Sequence, residues 1–218
     1  MNVFLHSILV IAGGIGTTFL LTVASFLIGG VLAVPLVLAR TSSSSILRAL
    51  SGTYIAVSRG IPPIAWLFVL FFGLGQLGVR LSSLSAAIAG LSVISAGYLA
   101  EIYRAGLSAV PCGQDDAARA LGLPPRTAFY RVIVPQAIAT VIPLAVAYFI
   151  GLLKDSAVAS VIGVQDVTAF ALSLSKRELE SFTIFLAAGA VYLVISVPVA
   201  ILGRWIGARV ARLVGVKP

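Results

Sequence analysis

Charge is scarce in this sequence, with 15 Lys and Arg and 7 Asp and Glu in 218 residues, so the few places where charges meet carry information. Lys154 and Asp155 adjoin at the end of a long apolar run, with the hydroxyl of Ser156 next in line. A cation beside an anion suits the carboxylate and ammonium of a zwitterion. Equally, the two charges can neutralise each other while Lys154 snorkels to a membrane interface. Glu101 and Arg104 stand three residues apart, a spacing for a helix-end ion pair or for packing at a gate. Trp66 lies within an apolar run, where its ring either packs or offers a π face to a cation. His6 has no second ligand near it for a metal, and nothing local to Cys112 marks it as reactive. Hydrolytic chemistry is not written here: there is no H-E-x-x-H, no G-x-S-x-G and no G-x-x-x-x-G-K-[ST]. The acids are too scattered for a buried carboxylate pair, so an intramembrane enzyme is set aside.

The elements that must position these groups are membrane helices. Hydrophobic residues make up 60% and charged residues 10% of the chain, and the mean hydropathy is +1.11; about a quarter charged is usual in soluble domains. A single all-α integral membrane domain over residues 1–218 is expected. A spanning helix needs about 20 mostly apolar residues. Five stretches qualify, within Val10–Leu38, Ile61–Val79, Leu81–Ala100, Val132–Leu153 and Ser181–Gly203. Their small residues favour close helix packing, and Pro35, Pro143 and Pro198 are kinks that neighbouring helices can accommodate. Ser156–Ser175 is apolar but interrupted by Gly163 and Asp166, and reads as a sixth span or as a segment folded on one face. Charge favours five spans with the N-terminus outside and the C-terminus inside. That topology leaves only Arg80, Lys154, Lys176 and Arg177 outside, and puts the other basic residues, Lys217 among them, inside. The net charge of +8 therefore reflects membrane topology rather than nucleic acid binding. With no basic n-region at the start, no cleavable signal peptide is expected.

Between the third and fourth spans lies a polar, ordered insert, about 104–131. Gln114–Leu121 reads as a short helix. Pro111 precedes it, Asp115 and Asp116 suit its positive N-terminal end, and Arg119 suits its negative C-terminal end. Ala117, Ala118 and Leu121 form an apolar face. Gly122 stops the helix and Pro124-Pro125 prevent its continuation. So short a helix is not stable alone in water and needs a surface to hold it. A solvated amphipathic connector is the plainer reading of the same residues.

Asp116-Ala117-Ala118, Gly122 and Val132-Ile133-Val134-Pro135 resemble the EAA loop of binding-protein-dependent ABC importer permeases, with Asp for the usual Glu. Arg59-Gly60-Ile61-Pro62, Tyr98–Gly106, Val110-Pro111, Gly113-Gln114, Leu152–Ser156 and Ser160–Val164 are similar to the polar amino-acid branch of that family. Cys112, Trp66 and Ala56 depart from it, standing where Lys, Gln and an acid are common. The resemblance implies a MetI-like permease fold in a bacterial inner membrane. It implies a coupling helix, Gln114, Asp115, Asp116, Ala117, Ala118, Arg119, Ala120, Leu121 and Gly122, seated in a groove of a cytosolic ATPase dimer. ATP and Mg would be bound by that ATPase and no cofactor by this chain. A second permease subunit, identical or homologous, an extracytoplasmic solute-binding protein and a small polar substrate are the other partners implied. Lys154, Asp155, Ser156 and Trp66 are candidates for the substrate path, and Arg59, Glu101 and Arg104 for bracing or gating. Opines and ectoine-type solutes are alternative substrates. An ATP-independent carrier is the alternative of another class, disfavoured by the lack of inverted repeats and of mid-span charges.

Overall fold

In the computed structural model, which describes residues 3–178 and 180–213, the chain is helical and no strand occurs among the described residues. Lys217 lies outside them. Among the described residues eleven α-helices succeed one another: α1 Val3–Ile11, α2 Ile15–Arg40, α3 Ser45–Gly60, α4 Pro63–Phe68, α5 Leu74–Gln76, α6 Ser83–Ser108, α7 Gly113–Ala120, α8 Pro125–Ala128, α9 Val134–Asp155, α10 Val167–Ser175 and α11 Ser181–Leu213. Of these residues, four stretches are long and apolar enough to cross a membrane: Val3–Arg40, Ser83–Ser108, Pro125–Ile162 and Ser181–Arg212. The fifth expected span is different. The backbone is bent by 102° between α3 and Pro63–Gln76. Its cause is Ile61-Pro62-Pro63: a residue before proline is pushed out of the helical region, and Ile61 is extended at φ −92°, ψ 130°. Beyond the bend, the helical stretch Pro63–Gln76 is only about 21 Å long, short of the ~30 Å apolar core of a bilayer. The second span thus exists as a broken pair rather than as one helix over Ile61–Val79.

α6 is the hub. Its buried residues run nearly all round it and are mostly small: Ala86, Ala87, Gly90, Ser92, Ser95, Ala96, Gly97, Ala100 and Gly106. α2 meets it along a single stripe, Thr18, Leu21, Thr22, Ser25, Gly29, Ala33 and Val37, which is the 3.6-residue spacing of one helix face. Gly29 lies directly on Ser95. With lipid as apolar as Leu, such close backbone approach is what joins membrane helices. The outward faces of α2 and α11 remain apolar and exposed, as at Val31 and Val194.

Ser156–Ser175 does not form a sixth span. A 3-10 stretch, Ser156–Ile162, ends at Gly163, which adopts φ +91°, a conformation open to glycine at no steric cost. α10 then begins at Asp166, whose carboxylate accepts a hydrogen bond from the Ala169 N–H at 2.8 Å. α10 packs with α1 and α11 in a cluster that includes Ile11, Val167, Ala171, Ile184 and Ala187.

Candidate functional site

α7 is a short helix carried on the loop that joins two spans, α6 and α9, at one end of the bundle. α6 continues two turns past its expected end to Ser108, and α8 resumes at Pro125, so the segment off the bundle is narrower than 104–131. The helix itself, Gly113–Ala120, matches the expected Gln114–Leu121 within a residue at each end. Its C-terminus is closed by a paired motif. The Gly122 N–H donates to the Arg119 carbonyl at 2.9 Å, and the Leu123 N–H donates to the Ala118 carbonyl at 3.1 Å. Gly122 adopts φ +71°, as this double closure requires. Asp115 and Arg119 form an ion pair at 2.8 Å, four residues apart. Gln136 at the start of α9 donates a side-chain hydrogen bond to Gln114 at 3.1 Å, tying the loop to the next span.

Burial on α7 differs from the expected apolar face. Only Ala118 is buried; Leu121 is 79% exposed, and Ala117 is exposed too. Gly113, Asp116, Ala117 and Ala120 share the outer face, giving a ridge of small side chains beside one carboxylate. Such a ridge allows a partner surface to come close to the helix backbone. Beneath it, Phe129–Ile133 forms a π-helical turn between α8 and α9, a feature common at functional sites. Tyr130 on that turn is 68% exposed. Sequence alone does not single it out, because nothing in the spacing of Phe129–Ile133 distinguishes a π turn from an α turn.

A second cluster gathers where α2, α3 and α6 meet. Both Arg104 Nε and Nη2 donate to Glu101 Oε2, at 2.9 and 2.7 Å, so the expected pair is formed, inside α6 rather than at its end. Arg40, the last residue of α2, approaches the other carboxylate oxygen at 3.8 Å. The guanidinium of Arg59 lies 4.7 Å from the centroid of the Tyr98 ring. Tyr98 in turn stacks on Tyr148 at 4.9 Å, and the Tyr148 hydroxyl donates to Ser95 Oγ at 2.9 Å. Arg40 was not among the expected residues. Its position as the last residue of a span was the available signal.

The substrate-path candidates are divided. Lys154 and Asp155 are exposed at the C-terminal end of α9, and among the described residues no salt bridge joins them. Ser156 is fully buried and its hydroxyl donates to the Leu153 carbonyl at 2.8 Å, which commits it to the turn. Trp66 packs against the central cluster containing Leu67, Leu91, Leu152 and Ile162. Its indole N–H is buried without a hydrogen-bond partner among the described residues, so the ring is packed but its donor is unspent.

Residues 25–212 match the family described as binding-protein-dependent transport system inner membrane component. Among related proteins, the probable amino-acid permease protein YxeN of Bacillus subtilis (strain 168) is 38% identical over 179 residues, 81% of this chain and 79% of that protein. The L-cystine transport system permease protein TcyB of the same organism is 32% identical over 206 residues, 94% of this chain and 88% of its own. A crystal structure of an amino acid ABC transporter with histidines superposes with a TM-score of 0.86 at 33% identity, covering 92% of this chain and 94% of that one. The MetNI methionine ABC transporter, at 23% identity and a TM-score of 0.73, shares the fold. With its helical bundle, its broken second span and its match over residues 25–212, this chain belongs to the binding-protein-dependent transport system inner membrane component family, and is an ABC importer permease.

Proposed function

We propose that this permease carries a polar amino acid inward, driven by a separate cytosolic ATPase that docks on α7. The observation that carries the reading is α7 itself. It is an eight-residue helix closed locally by the Gly122 motif, held to the bundle by Ala118 and Gln114, and presenting a small-residue ridge outward. ATP and Mg would bind the ATPase dimer, whose closure would move two α7 helices, one from each of two permease chains. A loaded extracytoplasmic binding protein would deliver substrate at the opposite face. Rigid-body rocking of the bundle then gives alternating access. This requires the N-terminus outside and α7 and the C-terminus in the cytosol, in the bacterial inner membrane, the orientation favoured by basic residues. The amino-acid assignment rests on the amino-acid and cystine permeases to which the chain is similar. Lys154 and Asp155, exposed at the end of α9, remain the zwitterion-matching pair, and Trp66 the aromatic candidate.

Cys112 immediately precedes α7 and is exposed, which makes it a crosslinking probe. Cysteines placed along the groove of the genetically neighbouring ATPase should form a disulfide with Cys112 whose yield changes on adding ATP. An absent crosslink, with both subunits folded and co-purified, would refute α7 as the docking element.

A further inference from the structure

The last turns of α11 carry positive charge that nothing in their own segment offsets. Beyond Glu180 the sequence holds Arg204, Arg209, Arg212 and Lys217 and no acid. Among the described residues none of the three arginines forms an ion pair. The guanidinium of Arg209 lies 5.2 Å from the centroid of the Trp205 ring. Arg212 donates from Nε to the Ala208 carbonyl at 3.2 Å, and its two Nη groups make no hydrogen bond among the described residues. Trp205, Arg209 and Arg212 fall within about 60° of each other at 100° per residue, and all three are exposed. The buried Gly203, Gly207 and Ala211 occupy the opposite side of the helix. There Gly203 lies directly on Val146 of α9, and Gly207 approaches Ile142 and Pro143.

The side chains on the outward side indicate what covers it. Helices that pack together in a bilayer meet through small residues, and on this half of α11 the small residues point inward. Ile201, Leu202 and Trp205 are large and point outward, exposed at 54%, 56% and 54%, as suits contact with acyl chains. The two arginines follow on the same side, about 6 and 10 Å past Trp205 along the helix axis. The headgroup layer of a bilayer is about 5–7 Å thick on each side of its apolar core, and tryptophan is enriched at the boundary between them. With Trp205 at that boundary, Arg209 stands at headgroup depth, and Arg212 can turn its long side chain back toward it. Guanidinium forks match the paired oxygens of a phosphate, and the indole ring holds that of Arg209 in place. We propose that Trp205, Arg209 and Arg212 bind the phosphate headgroup of an anionic membrane lipid in the leaflet at the C-terminal end of α11, with its acyl chains along Ile201 and Leu202. Arg204 stands one residue before Trp205, at nearly the same depth, but about 80–140° round the helix from all three. It therefore serves as a control for unspecific charge.

Trp205 is itself the reporter. The sequence has two tryptophans, and the other, Trp66, packs against the central cluster. The test uses the full-length Trp66→Phe chain in phosphatidylcholine nanodiscs doped with graded amounts of chain-brominated phosphatidylglycerol or chain-brominated phosphatidylcholine. Quenching of Trp205 fluorescence then gives the relative association of the two lipids at this face. Brominated phosphatidylglycerol should quench more strongly at equal mole fraction. Arg209→Gln and Arg212→Gln should each lower its relative association about fivefold, the effect of one basic residue at an anionic surface. Arg204→Gln should leave it almost unchanged. If Trp66→Phe does not fold, the difference in quenching between the original chain and Trp205→Phe reads the same face. Equal association of the two lipids, or an Arg204→Gln effect as large as that of Arg209→Gln, would overturn the site. Trp205 quenched by neither lipid would overturn the lipid as occupant and assign the face to a second permease chain.

Discussion

Two segments leave the bundle as short helices, α7 with its loop and the stretch Ser156–Ser175; both have a paired closure on a left-handed glycine, Gly122 and Gly163, and they differ in where the rest of their polar groups find partners. α7 does so within itself: Asp115 pairs with Arg119, and Gly122 and Leu123 close the last carbonyls. Its outer face then remains available. Ser156–Ser175, besides its local bonds, is tied to distant partners. The Val167 N–H donates to Thr18 Oγ1 at 3.2 Å, the Thr168 and Tyr192 hydroxyls hydrogen-bond at 2.9 Å, and Asp166 is fully buried with its second carboxylate oxygen lacking a partner among the described residues. A helix closed on itself can serve a partner in another chain, whereas a helix closed on the bundle is part of the wall.

The strongest way to break this contrast is to remove the closure of α7. Proline fixes φ near −65°, which is incompatible with the +71° of Gly122. Gly122→Pro should abolish transport and substrate-stimulated ATP hydrolysis in reconstituted vesicles while the chain still inserts and purifies. Asp116→Lys, on the exposed ridge, should have the same effect without touching the closure. Retained stimulation in both would mean that α7 is a connector.

Next in size is a change that undocks the other segment. Gly14 sits against the backbone of Asp166 and Val167, so any side chain there must push α10 away. Gly14→Val should lower stability by about 3 kcal/mol, the upper range for overpacking, seen as a lower melting temperature in detergent. An unchanged melting temperature would show that α10 is not fixed against α1 and α2.

This contrast also decides what could be read in advance. α7 was legible because its signals are local: proline before, acids first, base last, glycine after. The hub role of α6 was implicit in its small residues. Ser156–Ser175 stayed ambiguous because the residues that hold it, Gly14, Thr18 and Tyr192, are far away in sequence, and apolarity alone does not distinguish a span from a folded-back wall. The broken second span was missed for a related reason. Ile61-Pro62-Pro63 marks a break, but the size of the bend depends on the packing of α3 and α4 against α6, where Leu67 meets Gly90 and Ser58 meets Gly97. Of the site residues, the Glu101–Arg104 pair follows from spacing. Arg40 and Tyr98 join it only through the fold.

Burial of Asp166 gives the comparison a pH signature. Desolvation lifts its carboxyl from the usual 3.8 to about 6, so in the window between those values the folded chain holds a proton that the unfolded chain has lost. By linkage, stability should fall as pH rises through that window and level off above it. The amplitude is at most about 3 kcal/mol. Asp166→Asn keeps a residue that caps helices well and should flatten this dependence in melts between pH 4 and 7. A variant with the same pH profile as the original chain would show that the carboxyl is not the titrating group.

The smallest effect should come from α7's own ion pair. Arg119 is 73% exposed and Asp115 42%, so solvent screens their attraction and the pair is worth at most about 0.5 kcal/mol. Arg119→Ala should therefore leave the melting temperature almost unchanged, although the residue lies within the segment whose closure by Gly122 is decisive. If Arg119→Ala instead lost ATPase stimulation with stability intact, the guanidinium would belong to the docking surface and not to the helix. α7 would then contact its partner through its charged flank as well as its ridge of small residues. Measuring stability and ATPase stimulation on the same preparation separates the two roles, because losing a purely structural pair can lower stability only slightly and leaves stimulation unchanged.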